Sequence, residues 1–145
     1  MTPDPDLTRF HSALSAGSTS CHNRALFELR SGRKRSHWIW FVLPQLAGLG
    51  RSAMAQRYGM SGMPEARAYV ADPVLRQRLE GVIGVINEQL RKPGQSLEQL
   101  MGSGLDAAKT VSSLTLFEAA GLESAGALLD DRAALRKNAG AAGLS

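Results

Sequence analysis

The hydrophobic positions of this chain recur at helical spacing along most of its length. From Val74 to Leu90 they follow one another at three- and four-residue intervals, which predicts a central helix over about 73–91. Asp72 followed by Pro73 marks its start, because an aspartate cap and an early proline suit the free N–H groups of a first turn. Shorter runs of the same spacing surround it. The pattern therefore predicts an all-α fold, a compact single-domain bundle of short and medium helices.

A second helix is predicted between Ser20 and Gly32, where serine offers a cap and glycine a stop. Its predicted buried side consists of Ala25, Leu26 and Leu29. The side chains that face out are Arg24, Glu28 and Arg30. The remaining predicted helices lie near 6–14, 52–58, 64–70, 96–102, 106–120 and 125–135.

The most apolar stretch runs from Trp38 to Leu43 and is closed by Pro44. Large apolar side chains in an unbroken row predict burial, but a buried strand and a short buried helix share this pattern. No neighbouring stretch alternates as a partner strand would. We therefore interpret residues 38–43 as a short buried helix capped by Ser36, which proline must end.

Length and composition are those of an ordinary globular protein of 145 residues. We expect one helical domain over 1–138 and a flexible Ala/Gly tail over 139–145. No apolar run approaches the roughly 20 residues that span a bilayer, so no membrane association is predicted. Cys21 is the single cysteine and has no partner for an internal disulfide, which favours a cytoplasmic location. The oligomeric state does not follow from the sequence.

The formal net charge of +4 could serve to bind nucleic acid, to bind an anionic metabolite or simply to keep the protein soluble. Arg33, Lys34 and Arg35 concentrate positive charge directly before the apolar stretch, at the expected edge of the core. They form a candidate clamp for phosphate, because arginine offers a bidentate fork and lysine a point charge. The ordinary alternative is a solvated connection between two helices.

Other candidate ligand-binding residues flank this cluster. His37 could donate a hydrogen bond or act as an acid or base, or it could simply be satisfied by a backbone carbonyl. Trp38 could stack on a flat ring and Gln45 could bind its polar edge, although burial in the core explains each tryptophan equally well. Lys109, Ser112 and Ser113 lie near a predicted helix start, where they could add donors for an anion or act as ordinary caps.

No catalytic residue is assigned. If the protein is an enzyme, a carboxylate must supply acid/base or cation-stabilising work, and Glu28 and Asp106 are the candidates beside His37. His11 and His22 show no ligand-like spacing with His37, so no metal is predicted. No phosphate-binding glycine loop or dinucleotide motif occurs, and no cofactor is predicted.

Three functions remain open on these grounds. The first is a pocket that binds, and could hydrolyse, a phosphorylated nucleotide-like small molecule. The second is a nucleic-acid-binding module that uses the basic cluster at 33–35. The third is a protein-interaction domain in which the aromatic stretch is only core.

Residues 32–50 read GRKRSHWIWFVLPQLAGLG. This motif resembles the signature of a bacterial family known as domain of unknown function 1810, sometimes labelled automatically as calpastatin. Matches in register at 58–59, 73–75 and 115–117 extend the resemblance over roughly residues 6–120. It implies an all-α cytoplasmic protein and favours a helix for 38–43. It implies no function, and the chain lacks the disordered, repeat-based character of a calpastatin inhibitor.

The chain departs from that family pattern in several places, and it matches the pattern only loosely over 103–111 and poorly after Ala120. His22 stands where the family usually has tyrosine, Leu43 where it has phenylalanine, and an arginine expected near Val111 is missing. In general plan the chain is also similar to small helical proteins that cut N-glycosidic bonds in ADP-ribose-related and riboflavin-pathway compounds. That more distant resemblance implies a nucleotide-like ligand.

Overall fold

The computed structural model describes residues 7, 9–11, 21–47 and 52–131. Helices dominate these residues, and none of them forms a β-strand. The all-α prediction is therefore confirmed. The helices are α1 (Cys21–Arg30), α2 (Ile39–Val42), α3 (Ala53–Tyr58), α4 (Met63–Ala71), α5 (Pro73–Leu90), α6 (Leu97–Met101), α7 (Gly104–Ala119) and α8 (Glu123–Asp131).

Helix α5 is the central helix that the sequence predicts. Oδ1 of Asp72 accepts hydrogen bonds from the backbone N–H groups of Val74 at 3.0 Å and Leu75 at 3.1 Å. The inner face of α5 is buried in the core. Val74 begins the apolar spacing from which a central core helix is predicted, but it is 45% exposed, so a place for it in the core is wrong. It follows Pro73 in the first turn and points about 100° away from the neighbouring Leu75 around the helix axis.

The other helices pack around α5 and α7. Helices α1, α4 and α8 contact α5, while α4, α6 and α8 contact α7. Helix α2 is short and lies against α1, α3 and α7. It therefore brings the chain that follows α1 close to α7, which begins more than 60 residues later.

The predicted burial of residues 38–43 is confirmed, since all six side chains are at most 8% exposed. The predicted cap is wrong. Helix α2 begins at Ile39, Trp38 occupies the N-cap position, and no side chain caps it. The hydroxyl of Ser36 instead donates a charge-assisted hydrogen bond to the carboxylate of Glu28.

Aromatic rings join the outer parts of the fold to the core. Phe10 meets Tyr69 edge-on with ring centroids 5.2 Å apart, and Phe41 meets Tyr58 at the same distance. Tyr69 also contacts Phe117 on α7 at 5.2 Å. Such pairs add about 0.5–1.5 kcal/mol each beyond the burial of their area. The helical turn at 9–11 is thereby attached to α4.

The remaining sequence predictions are partly covered by the described residues. Ser96 and Gln99 have the spacing that predicts a capping box, and the box is present at the start of α6, where each accepts from the other's backbone N–H at 3.1 Å. Outside the described residues lie Leu135, the tail at 139–145 and most of the first predicted helix. The limits of the domain therefore stay a prediction. Within the described part, no helix has the length and apolarity to cross a membrane.

Gly102 closes α6 in a conformation that needs glycine. Its φ is +85°, and its N–H donates to the carbonyl oxygen of Glu98 at 2.9 Å. A Cβ at this position would lie 3.1 Å from the carbonyl oxygen of Lys34. The turn after α6 and the segment around Lys34 therefore pack backbone against backbone.

We expect Gly102→Ala to lower the free energy of unfolding by about 1–2 kcal/mol, because alanine disfavours this left-handed conformation and crowds a carbonyl. The matched control is Gly81→Ala on α5, where a Cβ meets no atom within 4 Å. That change should raise stability by up to about 1 kcal/mol through helix propensity. Urea unfolding measures both, and equal effects of the two changes would contradict the argument.

Candidate functional site

The candidate site is built on residues 31–38, the basic loop that follows α1. The helix ends in a Schellman motif, with Gly32 at φ +94° and the N–H of Arg33 donating to the carbonyl oxygen of Glu28 at 3.1 Å. The N–H of Lys34 then donates to the carbonyl oxygen of Leu100 at 2.7 Å. The basic loop is thus fixed between the end of α1 and the end of α6.

A buried carboxylate holds the second half of this loop. Oε1 of Glu28 accepts hydrogen bonds from the N–H of Arg35 at 2.7 Å, the N–H of Ser36 at 2.9 Å and the indole N–H of Trp38 at 2.9 Å. Its other oxygen, Oε2, accepts from the Ser36 hydroxyl. The side chain that the sequence places on the outer face is therefore buried, and that prediction is wrong.

The hydrogen bonds decide the charge of Glu28. Burial by itself would raise the pKa of this carboxyl group, since it disfavours the ionised form. The bonds from the Ser36 hydroxyl, from the N–H groups of Arg35 and Ser36 and from Trp38 outweigh it and lower the pKa from 4.5 to about 2. At neutral pH Glu28 is a carboxylate whose acceptors face the loop. Because Glu28 is buried and its oxygens are bonded to the loop, it is placed to hold the loop in position and not to act as the catalytic carboxylate suggested from the sequence.

The basic loop meets α7 through an ion pair. Nζ of Lys34 lies 2.8 Å from Oδ2 of Asp106, and the lysine side chain is only 6% exposed. Nζ of Lys109 lies 3.9 Å from Oδ1 of the same carboxylate. The two ammonium groups also lie over indole rings, Lys34 over Trp38 and Lys109 over Trp40, each 5.2 Å from the centroid. Asp106 therefore stands between two lysines.

Two adjoining concavities open at this ion pair, and Lys34, His37 and Asp106 border both. The first, which we name the basic cleft, has a volume of about 500 Å³ and is completed by Arg33, Arg35 and the turn at 101–103. The second, the aromatic cleft, has a volume of about 250 Å³ and is completed by Ile39, Trp40, Ser52 and Lys109. The basic cluster at 33–35 and the aromatic stretch that follows it in the sequence thus border adjoining clefts.

Positive charge exceeds negative charge around the two clefts. Arginine or lysine stands at 33, 34, 35 and 109, whereas Asp106 is the carboxylate of the lining. Across the described residues, the side chains of Arg33, Arg35 and His37 make no ion pair or hydrogen bond and are exposed. These groups are therefore available to an anion from solution.

Several predicted site residues lie behind the clefts instead of in their walls. Trp38 is 1% exposed, and Gln45, also 1% exposed, donates from Nε2 to the carbonyl oxygens of Leu43 and Lys109. Ser112 donates to its own helix at Ala108. These side chains hold the walls together.

The predicted position of Ser112 and Ser113 near a helix start is wrong. Helix α7 begins at Gly104, so both serines lie in its middle, where Ser113 is completely buried. The cap is Ser103, whose hydroxyl accepts from the N–H of Asp106 at 3.1 Å. Serine followed three residues later by aspartate is a recognisable start signal, and it would have located this wall of the basic cleft.

The described residues contain no group of three or more histidine, cysteine, aspartate or glutamate side chains arranged to hold a metal ion. The two clefts are lined by cationic side chains, serine hydroxyl groups and the first turn of α7. Such a donor set binds oxygen anions.

The chain belongs to a family of proteins of unknown function, because a family model matches residues 4–131. That family is described as protein of unknown function (DUF1810). The family resemblance noted in the sequence is thereby confirmed. The more distant resemblance, to proteins that cut N-glycosidic bonds, stays a prediction.

A solved structure supports the fold. The conserved hypothetical protein Rv1873 from Mycobacterium tuberculosis is 41% identical in sequence, with a TM-score of 0.75. The match covers 87% of this chain and 86% of that chain. No curated protein matches the sequence.

We expect Glu28→Gln to destabilise the protein by about 1.5–3 kcal/mol at neutral pH, because hydrogen bonds to a charged acceptor are lost. The folded-state pKa lies below the ordinary 4.5, so the carboxylate's contribution is complete above that pH and is lost as the pH falls towards about 2. Urea unfolding should therefore show the stability difference between the two proteins narrowing over this interval.

Glu88→Gln is the control for this experiment. Glu88 is exposed on α5, so its replacement should change stability by no more than about 0.5 kcal/mol. A difference between wild type and Glu28→Gln that stays constant down to the acid limit would contradict the assigned role of the charge.

Proposed function

We propose that the protein binds a phosphorylated, nucleotide-like small molecule in the joined basic and aromatic clefts. The observation that carries the proposal is the exposed, unpaired state of Arg33, Arg35 and His37 beside the Lys34–Asp106 ion pair, across the described residues. Groups that are paired within a protein have little left to offer a ligand. These three retain their full hydrogen-bonding capacity.

The basic cleft supplies the phosphate-binding part. Guanidinium groups bind phosphate oxygens bidentately, and two of them flank an open cleft of about 500 Å³. Ser103 and the first turn of α7 border the same space, so the positive end of a 16-residue helix adds to the field. A doubly charged group is favoured here over a single carboxylate.

The aromatic cleft supplies the part that accepts a ring. Ile39 and Trp40 give it an apolar wall, and Lys109 over the Trp40 ring adds a cation at its edge. Ligand sites commonly combine such apolar walls with a few placed polar groups. The volume of about 250 Å³ suits one flat ring system rather than a polymer.

As an extension of this proposal, the protein would also hydrolyse the bound molecule. His37 and Asp106 border both clefts. In the hydrolysis one of them would take a proton from the attacking water, and the other would protonate the ring that leaves as its bond to the phosphorylated part breaks. The more distant resemblance to N-glycosidases favours an N-glycosidic bond there. Product analysis after incubation with ADP-ribose tests this extension separately from binding.

Arg33→Ala and Arg35→Ala test the binding proposal. Each should leave unfolding stability within about 0.5 kcal/mol of wild type, because both side chains are exposed. Each should weaken binding of adenosine 5′-monophosphate or ADP-ribose by about 1.5–3 kcal/mol, the value of a charge-assisted hydrogen bond. Calorimetric titration measures the affinity, and Arg67→Ala, an exposed arginine on α4, is the control that should change neither quantity.

Two outcomes would contradict the proposal. In one, no phosphorylated compound raises the melting temperature of the wild type, while the arginine variants melt several degrees lower. In the other, the protein binds RNA or DNA tightly, with an affinity that falls steeply with salt, about one released counterion for each neutralised phosphate. The latter would establish the nucleic-acid-binding alternative, since a small ligand neutralised by two arginines responds less.

A further inference from the structure

Asp106 occupies the boundary between the two clefts, and its side chain is 21% exposed. Oδ2 accepts a hydrogen bond from Lys34 at 2.8 Å. Lys109 lies with its Nζ 3.9 Å from Oδ1, which is too far for a hydrogen bond. Among the described residues Oδ1 accepts none, so it keeps acceptor capacity that its surroundings leave unused.

The charge at this boundary restricts what a ligand can place there. An ionised carboxylate accepts hydrogen bonds and donates none, and it repels a phosphate group. A cationic group is disfavoured as well, because Lys34 and Lys109 stand on either side of the carboxylate. A neutral donor satisfies both conditions, and the hydroxyl group is the neutral donor that sugars carry.

The two clefts also set the order of the ligand's parts. A phosphate bound near Arg33 and Arg35 and a ring bound near Trp40 leave the connecting part of the molecule beside Asp106. In a nucleotide this connecting part is the sugar. Resting on the proposed function, we infer that Asp106 accepts hydrogen bonds from sugar hydroxyls, so that the site prefers ribonucleotides to 2′-deoxyribonucleotides.

The test compares adenosine 5′-monophosphate with 2′-deoxyadenosine 5′-monophosphate at one fixed salt concentration. Calorimetric titration of the wild type should give an affinity at least about tenfold higher for the ribonucleotide, the effect of one hydrogen bond to a charged acceptor. In Asp106→Ala the ratio of the two affinities should fall close to one. A purely structural role would weaken both nucleotides equally and leave the ratio unchanged.

Asp106→Ala leaves the buried ammonium of Lys34 without its partner and could disturb folding. The double variant Lys34→Met, Asp106→Ala removes both charges together and serves as the second test of the ratio. Glu123→Ala, an exposed carboxylate on α8, is the matched control and should keep the wild-type ratio.

Equal affinity of the wild type for the two nucleotides would overturn this inference and leave the proposed function standing. A ribonucleotide preference that survives in both Asp106 variants would also overturn it. Absence of binding by either nucleotide would overturn the proposed function, and the inference with it.

Discussion

The buried carboxylate of Glu28 is the interaction on which the candidate site depends. Removing an ionised group from water costs several kcal/mol unless donors replace its hydration, and here four donors from residues 35–38 do so. Because the donors belong to three residues within a four-residue segment, they satisfy the charge only when the chain curls around it. The buried charge therefore specifies the conformation of the basic loop.

That conformation determines which basic side chains face inward. With Arg35 and Ser36 held by their N–H groups, Lys34 is directed to α7 and is 6% exposed, whereas Arg33 and Arg35 remain exposed. The carboxylates of Glu28 and Asp106 consequently differ in how many of their hydrogen bonds the protein itself supplies. Glu28 is saturated with donors from its own neighbourhood, whereas Asp106 is only partly satisfied and borders open space. The distinction separates a group that builds the site from one that is available to a ligand.

Much of the fold and part of the site could be predicted from the sequence. The Asp72–Pro73 start of the central helix and the burial of residues 38–43 are local signals, set by capping chemistry and by an unbroken apolar run. The exposure of Arg33 and Arg35 beside an apolar segment follows from the same pattern. Such features depend on residues close to one another along the chain.

The sequence predictions that are wrong concern residues whose burial or hydrogen bonding is determined by partners that the local sequence pattern does not show. Glu28 lies three residues after the buried Ala25 and next to the buried Leu29, but its charge made exposure the natural expectation. Its donors follow in a loop that periodicity does not describe. The pairing of Lys34 with Asp106 has no local signal, although it helps to explain why the lysine of the basic cluster is buried while its two arginines are exposed.

The Lys34–Asp106 pair spans 72 positions in the sequence. A nascent chain that has emerged only as far as α6 already carries the basic loop and its Glu28 anchor, but it lacks the helix that supplies the opposite wall. Long-range contacts of this kind form only after the chain entropy of the intervening segment has been lost. The clefts consequently come into existence only once α7 has joined the earlier helices, so a ligand meets a complete site only on a nearly complete fold.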